Sequence, residues 1–285
     1  MEDRIGRFAR TTSGAESVPG KWRVSAGGAA LNVARIAAAC GARCRLATVL
    51  GEDETAAFLR AEARSAGVDL DAATHPGRSA GYTAFLQPDG TLVSALADMT
   101  ILDEWQPGPE AWGVHKPAIC VLDANFEPSV LSELAGAAPA PLAALTVSAA
   151  KAERLTGLLP GIETLFTNRA EACALLGRSM EPADAAAALR AAGVGRVCIS
   201  DGPYPVAIAD EDGPRTITPP TAPVRDTTGA GDALAGGALA ALALGVPFAE
   251  AVRRGMEAAA AVLAVEGAWS DRLPALLSKT GKDGP

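Results

Sequence analysis

Histidine is almost missing from this chain of 285 residues: His75 and His115 are the only two. A histidine-ligated metal centre, or a nucleophile activated by imidazole, has too few residues to draw on. A hard divalent cation held by oxygen ligands needs none. Cysteine is scarce as well, with five residues at positions 40, 44, 120, 173 and 198 and no C-x-x-C spacing. The odd count argues against a disulfide framework, and the spacing against a thiolate zinc site. Reduced thiols inside apolar elements are expected. Basic charge is in deficit, 25 Lys and Arg against 33 Asp and Glu, for a net charge of -8. Such a balance leaves no electrostatic footprint for a nucleic-acid backbone. No hydrophobic stretch combines bilayer length with freedom from charge, since Arg253, Arg254 and Glu257 interrupt the last of them. Met1-Glu2-Asp3-Arg4 lacks the apolar core of a secretion signal. A cytoplasmic protein without a membrane partner is expected. A G-x-x-x-x-G-K-[ST] string is absent too, so a P-loop nucleotide site is unsupported.

What is present is apolar matter in quantity, 49% hydrophobic against 20% charged residues. That is enough to bury a sizeable core in one large α/β unit with a smaller appendage. Short apolar runs at Cys44 to Leu50, Ala118 to Asp123, Leu142 to Val147, Thr164 to Thr167 and Arg196 to Ser200 read as strands. Helical patterns alternate with them near Ala29 to Cys40, Thr55 to Ala66, Pro128 to Ala135, Arg169 to Leu176 and Pro182 to Ala192. The alternation predicts a mainly parallel sheet covered on both faces. Ligands should then gather at the carboxyl ends of its strands, where Asp123, Asn168 and Ser200 fall. Gly81 to Leu86 and Leu92 to Ala97, joined through Gln87-Pro88-Asp89-Gly90-Thr91, read as a hairpin outside that rhythm.

Two glycine segments carry the chemistry. Asp226-Thr227-Thr228-Gly229-Ala230-Gly231-Asp232 stands directly before the apolar run Ala233 to Leu244. Small residues let the N–H groups of Gly229, Ala230 and Gly231 crowd around an anion, the helix start adds partial positive charge, and Asp232 can accept a proton. That combination suits phosphoryl transfer to a hydroxyl group, which rests on positioning, charge stabilisation and a base. A dinucleotide fingerprint fits poorly, because Leu234 stands where its third glycine should fall. Near the start, Ala26-Gly27-Gly28-Ala29-Ala30-Leu31-Asn32 leads into a helix. Gly27 and Gly28 permit close approach of a ligand, and the Asn32 amide both donates and accepts, as vicinal hydroxyls require. Each segment also has a plain reading as a glycine turn before a helix.

Together with Thr167-Asn168-Arg169-Ala170-Glu171 between them, these segments resemble the PfkB carbohydrate kinase family, which pairs G-G-x-x-x-N with D-T-x-G-A-G-D and carries an N-x-x-E element. The resemblance implies a ribokinase-like three-layer α/β/α sandwich, with a mainly parallel central sheet and a small β lid. A single domain would span 1–285, with its lid drawn from roughly 4–25 and 78–100. It implies ATP and Mg2+, a possible role for K+, and a possible homodimer through the lid. Carried over residue by residue, Asp232 is the base, and Gly229, Ala230 and Gly231 form the anion cradle. Asn168 and Glu171 organise Mg2+ through water, and Asp226 and Thr228 hold the monovalent cation. ATP meets Asn168, Ser200, Asp201, Gly202, Thr228, Gly229, Gly231 and the helix around Ala258 to Leu263. Asp3, Gly27, Gly28 and Asn32 engage ribose hydroxyls. One departure is that Pro203 and Pro205 occupy a loop usually richer in glycine.

Pro19-Gly20-Lys21-Trp22-Arg23-Val24-Ser25, Ala97-Asp98-Met99, Asp123-Ala124-Asn125 and Thr146-Val147-Ser148-Ala149-Ala150-Lys151 resemble, in order, segments of family members that act on a C-glycosidic nucleoside. On that resemblance Asp98 is expected near the base, and Lys151 is a substrate contact or a cation near the phosphates. The expected reaction is ATP-dependent phosphorylation of the ribose 5′-hydroxyl of a small free nucleoside. Two alternatives stay open: a kinase of the same fold acting on a free sugar or another nucleoside, and a non-catalytic nucleoside-binding protein. Relatives carry an apolar first strand before the substrate aspartate, whereas here Asp3 already stands in that place. A core strand is therefore expected to be missing at the N-terminus, through a misplaced start or with another segment or subunit covering the edge.

Overall fold

Val197, Cys198 and Ile199 are all sealed from water, although successive strand residues point to opposite faces. Such a strand must be covered on both sides. In the computed structural model, which describes residues 1–13, 16–114, 116–270 and 273, this is what the helices do. His115 lies outside the described residues.

The chain begins with β1 (Glu2–Phe8), β2 (Gly20–Ala26), α1 (Ala29–Ala39), β3 (Cys44–Leu50), α2 (Glu54–Ser65) and β4 (Val68–Thr74). It continues through β5 (Gly81–Leu86), β6 (Leu92–Asp98), α3 (Thr100–Glu104), β7 (Cys120–Asp123), α4 (Pro128–Gly136), β8 (Leu142–Leu145) and α5 (Ala149–Ala152). The remainder comprises β9 (Thr164–Asn168), α6 (Arg169–Leu176), α7 (Pro182–Ala191), β10 (Arg196–Ser200), β11 (Val206–Asp210), β12 (Gly213–Ile217), α8 (Ala230–Ala243) and α9 (Phe248–Leu263).

The central sheet has six strands in the order β12-β11-β10-β9-β8-β7, parallel from β7 to β10 and antiparallel at the β11–β12 end. One face, with Leu165, Val197 and Ile199, packs on α4, α6 and α7 through Leu131, Leu175 and Leu189. The other, with Phe166, Cys198 and Ile208, packs on α8 and α9 through Leu234, Leu239, Val252 and Met256. This is the three-layer α/β/α arrangement. All five cysteines are free thiols, and Cys120 and Cys198 are buried. No helix among the described residues is long and apolar enough to cross a membrane.

β3 pairs with β4 as a separate parallel ribbon, and no described strand is hydrogen-bonded between β3 and β7. α1 bridges the interruption, with Val33 packed in the central-sheet cluster and Leu31 and Ala34 in the cluster over β3 and β4. β1 instead belongs to a four-stranded lid of order β2-β1-β5-β6. Its register sets Gly6 between Trp22 and Phe85, and Arg4 between Val24 and Thr83, so these side chains share one face. Asp3 and Ile5 point to the other. The outer face is apolar and open: Trp22, Val24, Phe85 and Leu96 are 54%, 43%, 39% and 66% exposed.

Candidate active site

α1 and α8 touch because α8 carries a glycine at the contact: a Cβ on Gly236 would lie 2.7 Å from the Val33 carbonyl oxygen and 2.8 Å from Ile36 Cβ. This close approach brings the first turns of both helices together. Asn32 Nδ2 therefore donates to Asp232 Oδ2 at 2.8 Å, across 200 residues of sequence. Asn32 is only 5% exposed, and its Oδ1 is buried without a donor. The Oδ1 of Asp3 is buried without a donor as well. Asp3 lies against Gly27, where a Cβ would come 1.8 Å from Oδ2, so any side chain there would displace the Asp3 carboxylate. Orphaned buried acceptors cost roughly 1–3 kcal/mol each. Two of them beside one carboxylate call for a ligand that brings hydroxyl donors.

Burial raises Asp232 to about 6, against the hydrogen bond from Asn32, with repulsion from Asp123, Glu171 and Asp3 adding to the rise. Asp3 is also raised to about 6, chiefly by burial, while the amino terminus and Arg23 restrain it. A carboxylate with a value near 6 is ionised at neutral pH yet a better proton acceptor than an ordinary one. Gly229, at φ 75, turns the chain into α8 and leaves no room for a side chain, since a Cβ would lie 2.3 Å from Ala268 Cβ. Ala230 and Gly231 open α8, and nothing lies within 4 Å of where a Gly231 Cβ would stand. The cradle is thus open to a ligand on that side.

A cavity of about 100 Å³ lies at the carboxyl ends of β8, β9 and β10, lined by Thr146, Asn168, Glu171, Ser200, Gly231 and Asp232 among others. Asn168 and Glu171 form a capping box on α6: Asn168 Oδ1 accepts from Glu171 N at 2.9 Å, and Asn168 N donates to Glu171 Oε2 at 3.3 Å. The Thr146 hydroxyl donates to the same Oε2. No group of three or more His, Cys, Asp or Glu residues is placed to hold a metal among the described residues. One carboxylate and one amide at a cavity fit a Mg2+ ion that takes most of its ligands from phosphate and water.

The remaining expected residues are placed by strand register, helix caps and ion pairs. Asp98 pairs with Gly81, whereas Asp3 sits in register with Tyr82 and Ala97. Asp98 consequently stands on the opposite lid face, and its Oδ1 accepts from Thr100 N at 3.3 Å and from the Thr100 hydroxyl at 2.9 Å. The structure does not bring it to Asp3. Asp201 is turned to Arg169 at 3.3 Å, and Gly202 is exposed with φ 56. Lys151 Nζ donates to Asn125 Oδ1 at 2.6 Å, next to Asp123. Gly28, with φ 102, caps α1. Asp226 Oδ1 accepts from Thr228 N at 2.9 Å, and its Oδ2 accepts from Gly267 N at 2.9 Å.

Three residues named only within segments or at a strand end take parts that the sequence did not assign to them. Asp123 is pushed up by burial, against bonds from Asn125 and the Ala30 N–H and the charge of Lys151, and it acts on Asp232 electrostatically. Its signal was a carboxylate at the end of a buried parallel strand. Val147, expected inside a strand, instead has φ 66, and Ser148 N donates to Thr146 O at 2.7 Å. That is a γ-turn with a β-branched residue at its strained centre, which ends β8 at Leu145 and turns the chain toward α5 and Lys151. Arg23 reaches from β2 to Asp226, 3.6 Å from Oδ2.

The profile of the pfkB family carbohydrate kinases matches residues 5–276 of the chain. The chain is 30% identical over 264 residues to pseudouridine kinase from Escherichia coli (strain K12), covering 88% of this chain and 84% of that protein. It is 31% identical over 253 residues to cytidine kinase from Thermococcus kodakarensis, covering 86% and 90% respectively. The fold matches that of ribokinase from Thermotoga maritima with a TM-score of 0.84 at 21% identity, over 98% of this chain and 96% of that one.

Proposed function

Because the chain belongs to the pfkB family of carbohydrate kinases, which transfer a phosphoryl group from ATP to an alcohol of a sugar or nucleoside, we propose that it phosphorylates the ribose 5′-hydroxyl of pseudouridine, giving pseudouridine 5′-phosphate. The observation that carries this reading is Asp232, raised to about 6 and held at 2.8 Å by Asn32, beside the donorless Oδ1 atoms of Asn32 and Asp3. Ribose 2′- and 3′-hydroxyls donate to those acceptors and orient the sugar. The 5′-hydroxyl then meets Asp232, which takes its proton as the oxygen bonds to the γ-phosphorus and the bridging bond to ADP breaks. N–H groups of Gly229, Ala230 and Gly231 face the charge on the transferred group. Glu171 and Asn168 would hold Mg2+ through water, and the ion would supply charge neutralisation at the phosphates. The lid excludes competing water. Ser200, Asp201, Gly202 and Thr228 border the nucleotide, and Lys151 with Asp123 borders the nucleoside. The substrate is a free nucleoside in the cytoplasm.

Similarity to a pseudouridine kinase supports the choice of nucleoside, and similarity to a cytidine kinase names its competitor. An acceptor panel with Mg-ATP decides between them. Phosphorylation of pseudouridine should run well above cytidine, uridine, ribose and fructose, and a clear preference for cytidine or ribose would remove the substrate assignment while keeping the kinase.

The open lid face gives a further expectation. Two copies should cover each other's Trp22, Val24, Phe85 and Leu96, since a one-sided four-stranded sheet leaves this apolar patch wet. Sedimentation should report a dimer for the wild type and a monomer for Leu96→Glu. A monomeric wild type at micromolar concentration would contradict the pairing.

A further inference from the structure

Asp226 opens the cradle loop, and each of its carboxylate oxygens accepts a backbone N–H. Thr228 N and Gly267 N each donate at 2.9 Å, and the Arg23 guanidinium stands 3.6 Å from Oδ2. A carboxylate offers about four lone-pair sites. Two are taken by those N–H groups, and the Arg23 guanidinium already brings positive charge to the carboxylate to which the sequence resemblance, with Thr228, assigns a monovalent cation. The guanidinium also lies against the backbone of the turn after α9, where a Cβ on Gly267 would come 2.6 Å from Nη1. Arg23 therefore occupies the angle between the cradle loop and that turn, yet it belongs to the lid strand β2.

We infer that Arg23 is the built-in cation of this site: its guanidinium neutralises Asp226 beside the anion cradle, and it ties the lid to the cradle loop. An unneutralised carboxylate at Asp226 would repel a phosphate approaching the N–H groups of residues 229–231. A bound ion could cancel that charge but would exchange with solvent, whereas Arg23 is delivered by the lid. The same strand runs on through Ser25 and Ala26 to Gly27, against which Asp3 lies. Lid placement, substrate seating and charge at the phosphate cradle are thereby mechanically joined. Arg23 acts through Asp226 and is a positioning residue. Only the kinetic arm of the test rests on the proposed reaction.

The first arm needs no catalysis. Thermal melting of the substrate-free wild type should be the same in potassium chloride and in tetramethylammonium chloride at equal ionic strength. Arg23→Met should melt lower in tetramethylammonium, with K+ raising its Tm. In the second arm, wild-type kcat should not differ between the two salts. Arg23→Met should lose about tenfold or more in kcat in tetramethylammonium, with little change in acceptor KM, and recover part of it in K+. Arg23→Lys should retain more activity than Arg23→Met. A wild-type Tm or kcat raised several-fold or by several degrees by K+ overturns the inference, and so does an Arg23→Met protein equal to wild type in tetramethylammonium. If the melting arm behaves as stated while the wild type turns over no acceptor, the proposed reaction fails and the role of Arg23 stands.

Discussion

Asp232→Asn is expected to leave a folded protein that binds ATP and acceptor but transfers phosphate about 1,000-fold more slowly. The amide keeps the size of the carboxylate and can still meet Asn32, so the contact between α1 and α8 persists. What it loses is proton acceptance, which matters chiefly in the transition state. The loss should therefore fall on kcat and leave KM nearly unchanged. Stability should move the opposite way. The pKa of Asp232 stands at about 6 in the fold against 3.8 for a free aspartate side chain. The native state then binds more protons than the unfolded chain between those values, so stability declines as pH rises through that window. The Asn variant escapes this decline. It should melt higher than wild type above neutral pH, and the gap should close as pH falls through about 6 toward 4. Quenched-flow transfer and calorimetric melting check the two halves, and equal transfer rates would remove Asp232 from its role.

Asp3→Ala should cost about 100-fold in kcat/KM for a ribose-bearing acceptor while the KM for ATP stays put. The reason is geometric. Oδ1 of Asp3 is one of the two buried acceptors without a donor at this site, and a hydroxyl bonded to an ionised acceptor counts for more than one bonded to a neutral group. Asp3→Asn should fall between the two proteins. Acceptors lacking the 2′- or 3′-hydroxyl sharpen the test: the wild type should discriminate against one of them strongly, and Asp3→Ala should do so weakly, because the missing partner is already gone. Unchanged discrimination in the variant would detach Asp3 from the sugar.

Much of this architecture was readable along the chain, for identifiable reasons. The strands Cys44–Leu50, Arg196–Ser200 and Gly81–Leu86 and the helix Arg169–Leu176 coincide with the expected runs, because each is an apolar segment bounded by turn or capping residues. β1 was not legible in this way, since Glu2–Phe8 opens on three charged residues in a row and its partners, β2 and β5, come from two separate places in the chain. β4 escaped because Asp69 and Asp71 interrupt it on the solvent side. Val147 was placed in a strand by its side chain, while its backbone follows the turn that the site demands.

The site divides similarly. Asn32 and Asp232 were both nameable from their glycine segments, but their 2.8 Å bond depends on two helices meeting at Gly236, which no local pattern encodes. Asp98 was placed near the substrate from order along the chain, and strand register sends it to the other lid face. Arg23 sat in a segment legible as lid and by its resemblance to relatives, but with no role of its own, since a lone arginine in an edge strand is usually solvated. Its partner Asp226 lies about 200 positions further along the chain.

In the proposed reaction a carboxylate poised near 6 takes the proton of an acceptor hydroxyl held by Asp3 and Asn32. The most direct measurement is the pH dependence of single-turnover phosphoryl transfer to saturating pseudouridine, from about pH 8 to about pH 4.5, in wild type and Asp232→Asn. The wild-type rate should be level above neutrality and fall about tenfold per unit once pH drops below about 6, while the variant stays slow and loses that limb. A wild-type rate that holds level through pH 5, or a variant that keeps the same acidic limb, would contradict the account.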